Sequence, residues 1–292
     1  MILFPYCKIN LGLHITARRS DGYHEIETLF YPVRGLCDAV ELLLSDADGA
    51  DFGEEGGRGV VFTSSGQGVD CPAEKNLCVR ACRVLEEAFP ERFREVGTIR
   101  IHLHKCIPFG AGLGGGSADA TAVLKGLNEL LRLGLSTEEL APLAVRLGSD
   151  TAFFLHDGPM LGSGRGERLE PFPALDLDGW WLLLVKPPVG VSTAEAYGLV
   201  TPRPPRVPLV EVLQQPVELW RERLVNDFEE PLGRRMPLLG QIRAELYRRG
   251  AVYAALSGSG STVFGLFRTR PEGGEAGWDG NCFVHAERLT RF

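Results

Sequence analysis

The sequence predicts an α+β fold in two parts, and three observations carry that expectation. Stretches of two-residue alternation and stretches of helical periodicity do not follow one another strictly, as a doubly wound parallel sheet would require. A strand is joined to a long amphipathic helix by a loop very rich in glycine. The texture of the chain changes near residue 158, where Gly162-Ser-Gly-Arg-Gly166, Pro171 and Pro173 mark a crossing. The parts are therefore expected at 1–157 and 158–292.

Each element has its own signal. Lys8 to Thr16 alternates in period two and reads as a strand, and Arg18 to Gly22 is a turn with Asp-Gly chemistry. Tyr23 to Val33 is extended, and Ala39 to Leu44 is a further strand. Residues 45–70 are expected to be loops with one short strand at Val60 to Thr63. Asn76 to Phe89 spaces its apolar residues as a helix does. Thr98 to Lys105 alternates again, with Ile99, Ile101 and Leu103 on one face and Arg100, His102 and His104 on the other. Helices are expected over Ser117–Leu131 and Thr137–Leu147, and a short buried strand over Phe153–His156. The second part offers a strongly apolar strand (Trp180–Val185), a proline-rich loop (Pro202–Pro208) and a helix (Leu238–Arg249). A strand–turn–strand follows at Val252–Phe267, and a last strand at Phe283–Arg288.

Composition narrows the function classes. The chain of 292 residues is 44% hydrophobic and 24% charged, as expected of a protein that buries real cores. No run approaches the ~20 apolar residues of a membrane span, and the N-terminus lacks the pattern of an export signal. A cytoplasmic protein with no membrane partner is expected. A net charge of −7 and a pI of about 5.5 argue against a nucleic-acid partner, which needs a basic face. They leave room for a phosphorylated small molecule in a local cationic pocket. The seven cysteines include no Cys-x-x-Cys pair and read as thiols in a reducing compartment. His102 and His104 have no third ligand at suggestive spacing and read as residues of a polar strand face.

The most informative stretch is Pro108-Phe-Gly-Ala-Gly-Leu-Gly-Gly-Gly-Ser-Ala-Asp-Ala-Thr121, with five glycines between Gly110 and Gly116. Without Cβ atoms the backbone can approach a ligand closely. The helix that follows points N–H groups lacking intrahelical acceptors back at the loop, which makes an anion site. Ser117 and Asp119 are expected to cap that helix, and Ser117 could also touch a phosphate or a bound cation. Gly110, Gly112 and Gly115 match Gly-x-Gly-x-x-Gly, but a second helix follows where a dinucleotide site needs a parallel strand. No Lys-Ser/Thr ends the run, which excludes a Walker loop. Phosphate charge must then be met by lysines from elsewhere, with Lys8 and Lys105 as candidates.

At this point the residues resemble a known family. Gly110 to Ala120 is similar to the phosphate-binding motif of the GHMP kinases, and Leu256-Ser-Gly-Ser-Gly-Ser-Thr262 to their third motif. Leu147-Gly-Ser-Asp150 with Phe153-Phe154 resembles the segment carrying their catalytic aspartate. Lys8-Ile-Asn10 with Arg18-Arg-Ser-Asp-Gly-Tyr-His24 resembles the signature of the branch acting on a diphosphocytidyl-methylerythritol. The alternative is another small-molecule member, a mevalonate or homoserine kinase.

The resemblance implies a ribosomal-protein-S5-like N-terminal ATP-binding domain and a ferredoxin-like C-terminal α/β sandwich. It implies transfer of a phosphoryl group from ATP, with Mg²⁺, to an alcohol. By position, Asp150 and Lys8 would be catalytic, and Asn10 would line the acceptor site. Tyr23 and Tyr197 would stack on the cytosine, with His24 bonding its polar edge. Asn76, Leu77 and Lys105 would hold the adenosine part of ATP. Pro108, Gly110, Ala111, Gly112, Leu113, Gly114, Gly115, Gly116, Ser117 and Ala118 would cradle its phosphates. Taken alone, Asp150 reads as a turn residue and Lys8 as a strand lysine; the resemblance is what assigns them roles. Two departures stand out: Thr151-Ala152 replaces the usual Val-Pro after the aspartate, and residues 268–281 are glycine-rich where relatives carry a fuller helix.

Overall fold

The computed structural model describes residues 1–46, 59–69 and 71–291. In chain order its elements begin with β1 (Ile2–Leu3), β2 (Tyr6–Arg18), β3 (His24–Cys37), β4 (Ala39–Asp46) and β5 (Gly59–Gly66). Next come α1 (Leu77–Ala88), α2 (Pro90–Arg94), β6 (Val96–Lys105), α3 (Gly115–Leu130) and α4 (Thr137–Val145). They are followed by β7 (Met160–Ser163), β8 (Arg168–Pro171), β9 (Trp181–Lys186), α5 (Thr193–Gly198) and α6 (Leu209–Leu213). The last are α7 (Glu229–Arg235), α8 (Pro237–Arg248), β10 (Tyr253–Leu256), β11 (Val263–Phe267) and β12 (Phe283–Arg288). The fold is α+β. Part of the loop expected across 45–70 lies outside the described residues.

The chain divides into two compact units. The first comprises Met1–Cys7, Leu36–Phe109 and Gly114–His156; the second comprises Lys8–Gly35, Gly110–Leu113 and Asp157–Phe292. The sequence reading divides the chain once, at 157/158. Here the second unit also takes in 8–35, because β3 pairs with the later strand β7 in a sheet ordered β2-β3-β7-β8, and 110–113, whose carbonyls at Ala111 and Leu113 accept from Thr262 N and Lys8 N.

The first unit is built on a four-stranded sheet in the order β1-β4-β6-β5. β4 and β6 are antiparallel, with Val40 opposite Leu103 and Leu42 opposite Ile101. β5 lies parallel to β6. The alternation seen in the sequence becomes burial: Val40, Leu42, Ile99, Ile101 and Leu103 are at most 3% exposed. Each such side chain contributes about 1.5–3 kcal/mol on burial. On the other face, His102 bonds Thr63 and Ser65, and His104 bonds Ser65, as expected of polar-face residues. Helix α3 lies so close to the inner face that a Cβ on Gly126 would sit 2.4 Å from Leu42 Cδ1 and 2.7 Å from Leu3 Cδ1. Asn76 caps α1, its Oδ1 accepting from Cys78 N at 2.9 Å.

Where the sequence predicts a short buried strand over Phe153–His156, the chain forms a 3₁₀ helix over Thr151–Leu155, with all five residues buried and His156 at its end. A short apolar run that is buried on every side carries no period, so the sequence could not separate the two.

The second unit holds two sheets, β2-β3-β7-β8 and β10-β11-β9-β12. In the latter β9 is central and antiparallel to both neighbours. Covered on both faces, its Leu182, Leu183, Leu184 and Val185 are fully buried, which explains a continuous apolar run instead of alternation. The strand order, second-third-first-fourth along the chain and antiparallel throughout, is that of a ferredoxin-like sheet. The chain between β11 and β12 forms turns where that pattern has a helix. It is fastened to the end of α8 by Arg249, which donates to Ala276 O at 2.9 Å and Gly277 O at 3.0 Å. The same guanidinium lies 4.2 Å from the centroid of the Trp278 ring.

Candidate functional site

In the first unit the glycine run leads into α3. The residue before the helix is Gly114, in the left-handed region at φ 72°, and no side chain caps the helix. The N–H groups of its first turn therefore lack both intrahelical acceptors and a capping oxygen. Gly115 cannot be larger: a Cβ there would lie 2.9 Å from both Ile107 Cγ2 and Lys105 Nζ. Leu77 reaches the same turn, 3.5 Å from where a Gly116 Cβ would be.

Lys105 explains what supports that turn. Its ammonium bonds Asp38, and donates to Asp119 Oδ2 at 3.0 Å. Asp38 Oδ1 accepts from Cys106 N at 2.6 Å and Ile107 N at 2.8 Å, fixing the exit of β6. All three side chains are buried. Burial pushes the Asp119 carboxyl up, against the pull of Lys105 and together with the charge of Asp38, to about 8. Burial alone would lower the Lys105 ammonium, but the two carboxylates outweigh it and the net direction is upward. Asp119 is thus not the cap expected from the sequence; four residues into α3, it turns back to the lysine. Lys105, expected beside adenosine, has its ammonium engaged by two acids under the helix start. Asn76, expected in the same role, uses its Oδ1 to cap α1.

Asp150 is half-buried and stands immediately before the 3₁₀ helix, with its carbonyl accepting from Phe153 N at 3.2 Å. Ser117 is half-buried in the first turn of α3, and its Oγ lies 3.8 Å from the point a Gly148 Cβ would occupy. Thr151 Oγ1, 3.2 Å from that same point, is buried with no hydrogen-bond partner among the described residues.

In the second unit the run Gly110–Leu113 is held by two segments. Lys8 N donates to Leu113 O at 2.9 Å, and Thr262 N to Ala111 O at 3.1 Å. Gly112 has φ 74°, and a Cβ on it would fall 2.1 Å from Ser257 O, so no other residue fits. Its carbonyl accepts from Ser257 Oγ at 2.9 Å and from the Lys8 ammonium at 3.2 Å. Lys8 also bonds Asn10 Oδ1, and Asn10 Nδ2 donates to Thr28 Oγ1 at 2.9 Å. Thr28 Oγ1 passes the chain on to Gly12 O at 2.6 Å. The ammonium lies 5.4 Å from the Phe30 ring centroid. This is a buried, oriented lysine instead of a solvated strand residue: Lys8 and Asn10 are each 2% exposed. The turn 256–258 is anchored in turn by Asn226, whose Nδ2 donates to Leu256 O and Gly258 O, both at 2.9 Å.

The aromatic residues singled out in the sequence fall in this unit too. The rings of His24 and Tyr197 stack with centroids 4.9 Å apart and an 18° interplanar angle. Tyr197 stands edge-on to the buried Phe228 at 4.9 Å. Burial, and then the charge of Arg18, hold the His24 imidazole below its ordinary range. Tyr23 is 53% exposed, with the Arg165 guanidinium over its ring.

Sequence reasoning missed Asp38, Thr28, Ser257, Asn226 and Arg165. Asp38 gave a signal, as one acid between two apolar strands, but its partner Lys105 is 67 residues away.

Among families of known proteins, the model of the GHMP kinases N terminal domain matches residues 76–158, and that of the GHMP kinases C terminal region matches residues 209–277. A protein of Parabacteroides distasonis named 4-diphosphocytidyl-2-C-methyl-D-erythritol kinase is 44% identical over 290 residues, 99% of this chain and 100% of the relative. One of the same name from Bacteroides thetaiotaomicron is 45% identical over 291 residues, again 99% and 100% of the two chains. The crystal structure of a 4-(cytidine 5'-diphospho)-2C-methyl-D-erythritol kinase superposes with a TM-score of 0.72 at 34% identity, covering 91% of this chain and 90% of that one. A homoserine kinase from Cytophaga hutchinsonii shares the fold, with a TM-score of 0.67 at 22% identity over 96% and 93% of the two chains.

Proposed function

This chain belongs to the 4-diphosphocytidyl-2-C-methyl-D-erythritol kinase family of GHMP kinases, and from that premise we propose what it does and with which residues. It transfers the γ-phosphoryl group of ATP to the 2-hydroxyl of 4-diphosphocytidyl-2-C-methyl-D-erythritol, giving the 2-phosphate and ADP on the non-mevalonate route to isoprenoid precursors. The observation that carries the reading is the start of α3. A glycine-rich run feeds a helix with no side-chain cap, at a position where Lys105 and Ile107 leave no room for a Cβ. Such a terminus suits a phosphate chain.

Phosphoryl transfer asks the protein for position and charge neutralisation more than for covalent chemistry. Asp150 is the group that accepts or orients the proton of the acceptor hydroxyl. The Lys8 ammonium, held by Asn10 and Gly112 O, meets phosphoryl charge. The loop residues 108–118, with Asn76, Leu77 and Lys105, serve ATP. Lys105 does so by setting the first turn of α3, since its ammonium is engaged by two acids. Asn10, Tyr23, His24 and Tyr197 serve the acceptor, the rings taking the cytosine.

Mg²⁺ would bring neutralising charge to the phosphates. A hard cation takes oxygen ligands and commonly keeps substrate phosphates and water among them. The Ser117 hydroxyl in the first turn of α3 suits it, beside a glycine and the orphaned Thr151 hydroxyl. Among the described residues no group of three or more His, Cys, Asp or Glu side chains could hold a metal by itself. No helix of the described residues is long and apolar enough to cross a membrane. A cytoplasmic enzyme without a nucleic-acid partner accords with the net charge of −7.

The test is an ADP-release assay comparing the diphosphocytidyl compound with mevalonate and homoserine. Turnover is expected with the first alone, and turnover of either other acceptor in its place would overturn the assignment. Asp150→Asn should lower turnover by about 10²–10⁴-fold with ATP binding retained.

A further inference from the structure

The hairpin tip between β7 and β8 carries a cation that the functional reading leaves unused. Arg165 sits between Gly164 (φ 69°) and Gly166 (φ 108°), both in the left-handed region that favours glycine. Gly164 O accepts from Ile26 N at 2.7 Å, docking the tip on β3 just past His24. Gly166 lies so close that a Cβ would be 3.4 Å from both Ile26 Cδ1 and Phe30 Cζ. Glu167 then fixes the arginine twice: its Oε2 accepts from Arg165 N, and its Oε1 lies 4.0 Å from Arg165 Nε. Thus restrained, the guanidinium lies 4.7 Å from the centroid of the Tyr23 ring, and the side chain keeps 27% exposure.

Tyr23 is held from the backbone side as well. Asp21 Oδ1 accepts from Tyr23 N at 3.1 Å, and Asp21 is ion-paired to Arg19 at 3.0 Å. The backbone bond from Tyr23, Arg19 and the more distant Arg165 keep the Asp21 carboxyl below its ordinary range. An exposed tyrosine ring normally samples several rotamers; this one has a pinned backbone and one face covered by a planar cation.

We propose that Arg165 sets acceptor specificity: stacked on one face of Tyr23, it orients the ring so that the opposite face receives a pyrimidine base, and its charge favours a nucleoside carrying a diphosphate over the bare nucleoside. Arginine suits both tasks, since its planar guanidinium stacks on rings and pairs with phosphate oxygens. The inference rests on the reading of Tyr23 as the base-stacking residue. Arg165 acts on the base through Tyr23, as a positioning residue.

The experiment measures kcat, KM for the diphosphocytidyl acceptor and KM for ATP in the wild type, Arg165→Ala and Arg165→Lys, with CDP and cytidine as competitive inhibitors. Arg165→Ala is expected to raise the acceptor KM and the CDP inhibition constant about threefold to thirtyfold, the range of an exposed to a desolvated cation–ring contact. Cytidine inhibition should weaken less, and kcat and the KM for ATP should stay within about twofold of wild type. Arg165→Lys should restore the preference for CDP over cytidine while leaving cytidine binding weakened, because charge returns and the planar stack does not. The inference is overturned if Arg165→Ala leaves the acceptor KM and CDP inhibition unchanged, or if kcat and both KM values move together with a lowered Tm. A wild-type protein that does not phosphorylate the cytidyl compound sinks the kinase reading and this inference with it. Unchanged behaviour of Arg165→Ala in an active enzyme sinks the inference alone.

Discussion

Replacing Lys105 by methionine tests the account of the helix start most directly. The ammonium is 3% exposed and bonded to two acids that are themselves 1% and 2% exposed. Methionine nearly matches the lysine stem in volume, so little is lost in packing and the change is mainly electrostatic. Asp38 keeps its two backbone donors, Cys106 N and Ile107 N, and is partly compensated. Asp119 loses its charged donor: its Oδ1 already lacks a partner, its Oδ2 loses the lysine, and only the contact with the Asp38 carboxylate remains. Breaking a buried pair from one side costs about 3–5 kcal/mol. At about 2–4 °C per kcal/mol for chains of comparable size, Tm should fall by roughly 6–20 °C. The assay is thermal unfolding followed by circular dichroism at pH 7, repeated in the double variant Lys105→Met/Asp119→Asn. The second change replaces the buried carboxyl that has lost its lysine, and that crowds the Asp38 carboxylate, with a neutral amide, and should return at least about 1 kcal/mol through coupling of the two sites. A fall under about 3 °C, or a double variant no more stable than the single one, would refute the picture of one interdependent cluster.

The same cluster has a pH signature. The Asp119 pKa rises from its ordinary 3.8 to about 8 in the fold, so the stability it confers is complete below 3.8 and is lost as pH rises through about 8. Asp119→Asn should flatten that alkaline loss in urea titrations run between neutrality and pH 9. His24 has the opposite sign: its pKa lies below 6.5, so its contribution is present above 6.5 and is lost as pH falls through the folded value. Its imidazole should titrate below 6.5 by NMR, and Tyr197→Ala, which uncovers the ring, should move the midpoint upward. Gly112→Ala drives a Cβ to within 2.1 Å of Ser257 O at φ 74°. Left-handed strain and overpacking of about 1–3 kcal/mol each should lower both Tm and turnover, and a variant with wild-type kinetics would show that the loop can shift at no cost.

Much of this protein was open to reading along the chain. Where one face of an element is buried and the other wet, period alone reveals it, and β4, β6, α1 and α8 stand within a few residues of their expected limits. The glycine run could be read as a candidate anion site because the chemistry that suggests it is local: five residues without Cβ atoms at and before a helix start. The run Thr151–Leu155 could not be read correctly, because complete burial erases the period.

What the sequence by itself determined were the features that depend on neighbours in the chain: alternation, helix starts, the glycine loop and, through its motifs, the family. Only the tertiary structure decided which groups face each other over long separations. It turned Asp119 from a cap into the partner of a buried lysine, joined Asp38 to Lys105 across 67 residues, and set Arg165 over Tyr23. The physical reason is that the energy of a charge in the fold depends on its surroundings. Whether a lysine is solvated, paired or poised is settled by atoms that other parts of the chain deliver, and no local pattern of residues encodes that delivery.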